Sequence, residues 1–332
     1  MEMRIFGRSG MRISVLGFGC GAVGGLMVRG DPGDQERTIA RALAAGINYF
    51  DTAVQYGNGE SEKNLGRVLG TLKPAEAIVG TKVRLAPEEF GDIAGAVARS
   101  LEGSLGRLRR EQVDILHLHN AITDAGGGAS LSARQVLDEV VPGFERLRRQ
   151  GKVRFLGITA NGDTPALHEV VDAHVFDSAQ VAYNMLNPSA AGAVPANYPA
   201  QDYARLLDHT QAGGIGVIGI RVLAGGALSG SAERHPIASP PPDPIGSASA
   251  YDADLARARR LLPLVDEGFA ASLAEAAIRF AISHPAMGTI LVGMANSEQF
   301  EASLAAVEKG KLPKAALDRL AALQRGFAGE AR

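Results

Sequence analysis

The chain is short of cysteine, of long apolar runs and of excess charge of either sign. Cys20 is its one cysteine, so no internal disulfide can form and a reducing compartment is favoured. The longest apolar runs fall well short of the ~20 residues that a membrane-spanning helix needs. Its 36 acidic and 34 basic residues nearly cancel, leaving a net charge of -2. That balance gives no global field to attract nucleic acid or an anionic membrane.

These absences predict a cytoplasmic protein whose partner is a small molecule rather than nucleic acid or a membrane. The N-terminal stretch MEMRIFGRSGMRIS carries charges and has no long apolar segment of the secretory type. Apolar residues make up 46% of the 332 positions, enough for a large core. The length fits one α/β barrel or two smaller domains. No repeat or clear boundary interrupts the chain, so we predict one domain over residues 1–332 and leave its oligomeric state open.

Short apolar runs alternate with longer amphipathic segments along most of the chain. Each run is apolar on both faces, as the strands of a parallel sheet are. The eight runs are SVLGFG (14–19), INYFD (47–51), AIVGTK (77–82), VDILHLH (113–119), RFLGIT (154–159), AQVAYN (179–184), GVIGIRVL (216–223) and GTILVG (288–293). Eight strand and helix repeats with short connections predict a (β/α)8 TIM barrel, with a doubly wound sheet as the alternative.

Two stretches fall outside this alternation. Residues 3–15 have the alternating arms and Arg-Ser-Gly turn of a β-hairpin, which we expect to close the bottom of the barrel. Residues 225–249 are rich in Gly, Pro and Ser and too long for an ordinary connection, which predicts a lid, a binding loop or disorder. The glycines of GFGCGAVGG (17–25) match a dinucleotide fingerprint poorly, because no helix opens there.

Four groups able to move or steer protons follow three consecutive predicted strands. Asp51 and Tyr56 come after the second strand. Lys82 ends the third strand and His119 ends the fourth. In parallel barrels, functional groups gather at this carboxyl-terminal rim. A tyrosine with a pKa of about 10 needs a nearby cation to act as an acid at neutral pH, and Lys82 could supply it. The set suits proton donation to a carbonyl while hydride arrives from elsewhere.

Each of these residues, taken alone, also has a structural interpretation. Asp51 could cap its turn, Tyr56 could pack at the rim and Lys82 could be a solvated strand end. His117 lies on the same face of its strand as His119, so alternation does not choose between the two histidines. Position at the strand's end favours His119 as the functional residue.

The motifs around these residues resemble those of the aldo-keto reductases. FDTAVQYG is similar to the family's signature, GTK to its lysine strand and VDILHLHN to its histidine strand. QVAYN, GIGVIGIRVLAGGALSG and ILVGMANSEQFEASLAAV resemble, in the right order, its sixth strand, seventh strand and closing cofactor segment. The resemblance implies a barrel that reduces carbonyls or oxidises alcohols. By position, Tyr56 would be the general acid/base, Asp51 and Lys82 would tune it, and His119 would orient the substrate.

The same resemblance implies contacts with a nicotinamide dinucleotide held without a Rossmann domain. Thr159 and Gln180 would hold the carboxamide, and Asn161 could replace the asparagine that many members have at position 160. Arg221 could bind the pyrophosphate, while Ile220 stands where many members stack an aromatic ring. The predicted cofactor contacts are Cys20, Thr159, Asn161, Gln180, Arg221, Leu223, Gly225, Gly293, Gln299 and Ser303.

The cofactor segment predicts NAD(H) or NADP(H), with NAD(H) favoured. A 2′-phosphate is normally met by lysine or arginine. LVGMANSEQFEAS contains neither, and Gly293 and Gln299 stand where NADP-preferring members often carry Lys and Arg. A more distant arginine could still reach the phosphate. GITAN and LVGM are closer to the sugar-oxidising dehydrogenases of the family, so a carbonyl or sugar substrate is expected.

Two other functions compete with this prediction. A barrel that binds the nucleotide as a redox sensor or regulatory subunit would turn over little, because fold alone does not establish catalysis. Such a sensor or regulatory subunit would not need all four of the proton-transferring rim residues. A metal-dependent hydrolase or isomerase would need histidines and carboxylates at several strand ends, and that cluster is missing. His235 in the 225–249 stretch is a single histidine, so no metal site is predicted.

Overall fold

The chain opens with an antiparallel hairpin that covers the amino-terminal end of the barrel. In the computed structural model, which describes residues 1–330, strand β1 (Met3–Phe6) pairs with β2 (Met11–Ser14) through a turn that begins at Gly7. A Cβ at Gly7 would lie 2.4 Å from the amide nitrogen of Gly216, so glycine is needed for this close approach. The predicted hairpin at the barrel floor is confirmed.

Eight parallel strands close the barrel, as the apolar runs predicted. The strands after the hairpin are β3 (Leu16–Gly19), β4 (Tyr49–Asp51), β5 (Ile78–Val83), β6 (Val113–Leu118), β7 (Ile122–Thr123), β8 (Leu131–Ser132), β9 (Val153–Ala160), β10 (Ser178–Ala182), β11 (Gly216–Ile220) and β12 (Met287–Gly293). β7 and β8 form a separate two-stranded sheet, and β12 pairs with β3 to complete the ring. A doubly wound sheet is therefore excluded.

The helices surround this ring and follow the strands in sequence. They are α1 (Leu26–Arg29), α2 (Pro32–Ala44), α3 (Glu60–Leu72), α4 (Ile93–Leu108), α5 (Ala133–Gln135), α6 (Val141–Arg149), α7 (Thr164–Asp172), α8 (Leu206–Ala212), α9 (Tyr251–Arg259), α10 (Pro263–Asp266), α11 (Leu273–Ser283), α12 (Ser297–Glu308) and α13 (Lys314–Arg325). Short 3-10 turns occupy Gly7–Ser9, Pro87–Asp92 and Ala224–Ser229, and a π-helical turn occupies Val136–Val140. None of the helices in residues 1–330 combines the length and the hydropathy of a membrane-spanning segment.

The barrel strands are buried on both faces, which explains their lack of polar alternation. Every residue of β5, β6 and β10 is buried. A second apolar cluster fills the lower half of the barrel, and it contains Phe6, Met11, Ile13, Tyr49, Ile78, Ile115 and Ile218. Asp51 and Lys82 lie towards the carboxyl-terminal ends of their strands, above this cluster.

The long stretch at residues 225–249 lies across the barrel mouth. Its first residues belong to the 3-10 turn Ala224–Ser229, and the rest is irregular. The Ser239 amide donates to the carbonyl of Val23, and the Arg29 guanidinium donates to the carbonyl of Ile237 at 2.6 Å. Hydrogen bonds thus tie this loop, hereafter the mouth loop, to the segment after β3.

Candidate active site

Lys82 joins the carboxylate and the phenol that the sequence predicts at the rim. Its Nζ lies 2.5 Å from Asp51 Oδ1, 2.8 Å from the carbonyl oxygen of Thr52 and 3.1 Å from the Tyr56 hydroxyl. The side chains of Lys82 and Asp51 are only 1% and 4% exposed, so water screens their attraction little. The lysine is therefore fixed with one N–H bond directed at the phenol.

The turn after β4 brings Tyr56 over this lysine. The Tyr56 amide donates to the carbonyl of Ala53, and Asn58 and Gly59 then adopt left-handed backbone angles with φ of 52° and 88°. A Cβ at Gly59 would lie 2.7 Å from Cδ of Arg107, so the turn has no room for a larger residue there. The ring centroid of Tyr56 consequently lies 4.7 Å from Lys82 Nζ.

His119 stands on the other side of the phenol. Its ring is perpendicular to that of Tyr56, with centroids 6.1 Å apart, and its Nδ1 lies 3.2 Å from Gln55 Oε1. Burial, assisted by the positive charges of Lys82 and Arg84, lowers the pKa of His119 to about 3. The imidazole is therefore neutral at physiological pH, so it acts as a hydrogen-bonding group and not as a cation.

The charges within this group favour a protonated phenol beside a protonated lysine. Burial raises the pKa of Tyr56, and the neighbouring Lys82 opposes that rise. Burial alone would lower the pKa of Lys82, but Asp51 and Tyr56 together raise it above its usual value. The Lys82 ammonium therefore persists near neutral pH and is placed to stabilise the phenolate whenever Tyr56 gives up its proton.

Two further side chains hold the Asp51 carboxylate, and sequence reasoning gave neither of them this role. The Tyr49 hydroxyl donates to Asp51 Oδ2 at 3.0 Å, and Gln180 Nε2 donates to the same oxygen at 2.6 Å. Gln180 Oε1 in turn accepts from the Thr159 hydroxyl at 3.3 Å. Tyr49 lies two residues before Asp51 on β4, so strand alternation was the one available signal.

A cavity of about 660 Å³ extends from these residues beneath the mouth loop to the start of α12. The predicted residues that line it are Asp51, Tyr56, His119, Thr159, Gln180, Arg221, Leu223, Gly225, Gly293, Gln299 and Ser303. Lys82 lies behind Tyr56 and outside the lining. A smaller cavity of about 450 Å³ lies at the barrel floor beside Arg4 and Met287, away from the proton-transferring groups.

Two predicted cofactor contacts lie outside this cavity. Cys20 is 1% exposed and packs in the apolar layer behind β3, where burial raises the pKa of its thiol. Asn161 lies in the turn after β9, where its carbonyl accepts from the Ile122 amide at 2.8 Å. Neither residue lines the cavity, which sequence position alone did not reveal.

Arg221 follows β11 directly and contributes its side chain to the cavity wall. Its backbone is left-handed, with φ of 55°, and its carbonyl accepts from Asn184 Nδ2 at 2.9 Å and from the Ala224 amide at 2.7 Å. In the part of the chain that the structure describes, no carboxylate lies within ion-pair distance of the guanidinium. Burial lowers the pKa of Arg221, partly offset by Tyr56 and more distant acids. This guanidinium is available to an anion.

The far end of the cavity holds polar groups that are already paired. Gln299 Oε1 accepts from the Ala295 amide at 2.8 Å, and the Ser303 hydroxyl donates to the Gln299 carbonyl at 2.8 Å. Glu275 also lines the cavity, and its carboxylate accepts from Arg279 at 3.0 Å and from Lys309 at 2.6 Å. Arg279 and Lys309 are therefore both engaged by this acid.

One group of side chains elsewhere has the composition of a metal site. His168 and Asp172 on α7 and His209 on α8 offer ligand atoms within 4.8 Å of one another. His209 Nδ1 lies 2.8 Å from Asp172 Oδ1, and His168 Nε2 lies 2.9 Å from the carbonyl of Tyr203. Both histidines are thus satisfied by hydrogen bonds without an ion, and the prediction of no metal site stays a prediction.

A model of the Aldo/keto reductase family matches residues 15–325. The chain belongs to the aldo/keto reductase family. It is 31% identical over 315 residues to L-galactose dehydrogenase of Arabidopsis thaliana, which covers 92% of this chain and 88% of that protein. It is 30% identical over 215 residues to D-threo-aldose 1-dehydrogenase of Pseudomonas sp, covering 57% of this chain and 63% of that one.

The fold of this aldo/keto reductase is also that of a solved family member. An aldo-keto reductase from Bacillus halodurans, in its holo form, superposes with a TM-score of 0.70 at 24% sequence identity, covering 97% of this chain and 96% of that one. Membership of the family and the named sugar dehydrogenases among its relatives make the protein an NAD(P)-dependent oxidoreductase. The predicted reaction class is confirmed.

Proposed function

We propose that the protein transfers hydride between a nicotinamide dinucleotide and an aldehyde, a ketone or the hydroxyl of a sugar or polyol, with Tyr56 as the general acid/base. The observation that carries this proposal is the chain of contacts from Asp51 through Lys82 to the Tyr56 hydroxyl, 2.5 Å and 3.1 Å long. A phenol gains acidity only when a cation stabilises its anion, and these contacts supply that cation in a buried site.

In the reducing direction, the carbonyl carbon gains the hydride and the carbonyl oxygen takes the proton of Tyr56. The Lys82 ammonium stabilises the resulting phenolate, and Asp51 keeps the lysine charged. A proton from solvent then restores the phenol. In the oxidising direction, the phenolate removes the hydroxyl proton of the alcohol while its carbon gives up hydride, so the same three residues serve both directions.

His119 would orient the substrate oxygen without changing charge. If its Nδ1 donates to Gln55 Oε1, its Nε2 is left as an acceptor. Turning the Gln55 amide exchanges Oε1 for an NH2 group, which makes Nδ1 the acceptor and leaves Nε2–H to donate to a carbonyl. The two orientations suit an alcohol and a carbonyl, respectively, and neither requires an imidazolium.

The residues that line the cavity fit a dinucleotide. Its pyrophosphate is anionic, and Arg221 presents a guanidinium that no carboxylate neutralises among residues 1–330. When bound, the dinucleotide supplies or accepts the hydride. Thr159 and Gln180 would face its carboxamide, because both line the cavity beside Asp51. The pyrophosphate would lie along Arg221, Leu223 and Gly225, and the adenosine near Gly293, Gln299 and Ser303.

We favour NAD(H) over NADP(H) because the cations near the adenosine end are already engaged. A 2′-phosphate needs one or more free basic groups. Arg279 and Lys309 pair with Glu275, and Arg234 of the mouth loop donates to the carbonyls of Gly225 and Ser239. Releasing any of these cations would break an existing ion pair or loop contact. The two sugar dehydrogenases among the relatives support a sugar hydroxyl as the group oxidised.

An absorbance assay of the reduced nicotinamide tests the whole proposal. Aldehydes, ketones, aldoses and polyols are supplied in both directions with NAD(H) and with NADP(H). We expect turnover on at least one aldose or its carbonyl counterpart, with a lower KM for NAD(H). Nucleotide binding with no turnover across the panel would favour the sensor function instead, and a lower KM for NADP(H) would contradict the argument from paired cations.

A further inference from the structure

Tyr49 places a polar group in the otherwise apolar lower half of the barrel. Its side chain is fully buried, and its neighbours there are Phe6, Ile78 and Ile218. Its hydroxyl reaches upward to donate to Asp51 Oδ2 at 3.0 Å. A phenylalanine would fill the same apolar space, so the apolar layer itself does not call for the hydroxyl.

Two glycines make the space that this tyrosine occupies. A Cβ at Gly80 would lie 2.6 Å from the Tyr49 hydroxyl, and a Cβ at Gly17 would lie 2.9 Å from its Cδ1. Neither glycine has a left-handed φ, so the backbone itself would accept other residues. Room for the Tyr49 side chain is therefore the reason for glycine at position 80, whereas a Cβ at Gly17 would also lie 2.9 Å from Leu291 Cδ2. The strands β3 and β5 thus enclose the ring on either side.

We propose that Tyr49 is a positioning residue of the reaction, which holds the Asp51 carboxylate and thereby the place of Lys82 beneath Tyr56. This inference rests on the proposed function. Asp51 Oδ2 accepts from Tyr49 and Gln180, while Oδ1 faces Lys82. The Tyr49 hydroxyl donates a hydrogen bond to the Asp51 carboxylate and so partly offsets its negative charge. Without this hydrogen bond, Asp51 holds the lysine proton more strongly and Lys82 stabilises the phenolate less.

The expected change is a rise in the pKa of Tyr56. The titratable groups around Asp51, Lys82 and Tyr56 are Cys20, Tyr49, His117, His119 and Arg221. Burial raises the pKa of Cys20 and Tyr49 and lowers that of both histidines, which leaves them neutral near pH 7. Lys82 and Tyr56 both lose their protons on the alkaline side, so the phenolate absorbance of Tyr56 is needed to assign a shifted limb to it.

Replacing Tyr49→Phe removes the hydroxyl and keeps the ring. We expect the midpoint of the alkaline limb of kcat for carbonyl reduction to move up by about half to one pH unit, because reduction needs protonated Tyr56. Alcohol oxidation at pH 7 should fall by roughly 3- to 10-fold, because it needs the phenolate. Tyr198→Phe is the matched control: Tyr198 is also buried, but its hydroxyl donates to the carbonyl of Leu186 at 3.0 Å.

A titration without substrate separates this inference from the proposed function. Phenolate absorbance of the wild type minus that of Tyr56→Phe gives the pKa of Tyr56, and the same difference is taken in the Tyr49→Phe background. Gly80→Ala, whose Cβ displaces the hydroxyl, should shift the midpoint in the same direction. Equal midpoints in these backgrounds, or a loss of kcat that is uniform with pH, would show a structural role alone and overturn the proposal. If the wild type is inactive, the proposed function is contradicted. The titration still tests whether Tyr49 sets the pKa of Tyr56, because it needs no substrate.

Discussion

Replacing Lys82 with Met should both destabilise the protein and strongly lower its turnover. The Lys82 ammonium and the Asp51 carboxylate are 1% and 4% exposed and lie 2.5 Å apart. Removing one partner of such a pair leaves an uncompensated buried charge, which costs about 3–5 kcal/mol of unfolding free energy. The loss of the cation beside the Tyr56 hydroxyl should also lower kcat by at least ~100-fold, within the usual range for general acid catalysis.

Urea denaturation at pH 7 measures the stability part of this prediction. Lys63→Met is the control, because the Lys63 and Glu60 side chains are 57% and 44% exposed and 3.4 Å apart. A pair of that kind contributes ~0.2–1 kcal/mol at most. The double variant Asp51→Asn, Lys82→Met removes both charges and should recover most of the stability but none of the activity. A Lys82→Met protein as stable as the Lys63→Met protein would refute the buried-pair argument.

Four further predictions concern the cavity. Tyr56→Phe should lower kcat by roughly 10²–10⁴-fold, while the dinucleotide affinity measured by fluorescence stays within a few fold of the wild type. Full activity in this variant would contradict the role of Tyr56 as the general acid/base. Arg221→Gln should weaken NAD(H) and NADP(H) binding alike, by about 10- to 100-fold, since a charged hydrogen bond is lost. Gln299→Arg should favour NADP(H) selectively in the same titration. Between pH 7 and pH 5, the His119→Gln variant should lose about 2 kcal/mol less unfolding free energy than the wild type loses.

The sign of the His119 effect follows from its lowered pKa. The folded protein holds this imidazole neutral down to a pKa of about 3, whereas the unfolded chain protonates it near its usual pKa of about 6.5. The contribution of His119 is therefore fully present above pH 6.5 and is lost as the pH falls towards 3. Identical stability profiles for the variant and the wild type between pH 7 and pH 5 would contradict the pKa shift.

The sequence by itself determined the barrel and the residues at its rim. Strands buried on both faces must be continuous apolar runs, and the residue that ends such a run in a parallel barrel must lie at the carboxyl-terminal rim. This local logic is enough to bring Asp51, Lys82 and His119 together, since Asp51 ends β4, Lys82 is the next-to-last residue of β5 and His119 directly follows β6. The sequence also predicts the turn after β4 that carries Tyr56, because the glycines there permit left-handed backbone angles.

Only the tertiary structure decided which side chains contact one another. Strand alternation puts Tyr49 and Asp51 on one face of β4, but their contact depends on the empty space above Gly80, a residue of another strand, which no local pattern reveals. Cys20 and Asn161 follow strand ends as His119 does, but they do not line the cavity. Arg221 is charged in the sequence, and only packing shows that no acid among residues 1–330 pairs with it. Position along the chain is local, whereas burial and pairing depend on the register of strands far apart in sequence.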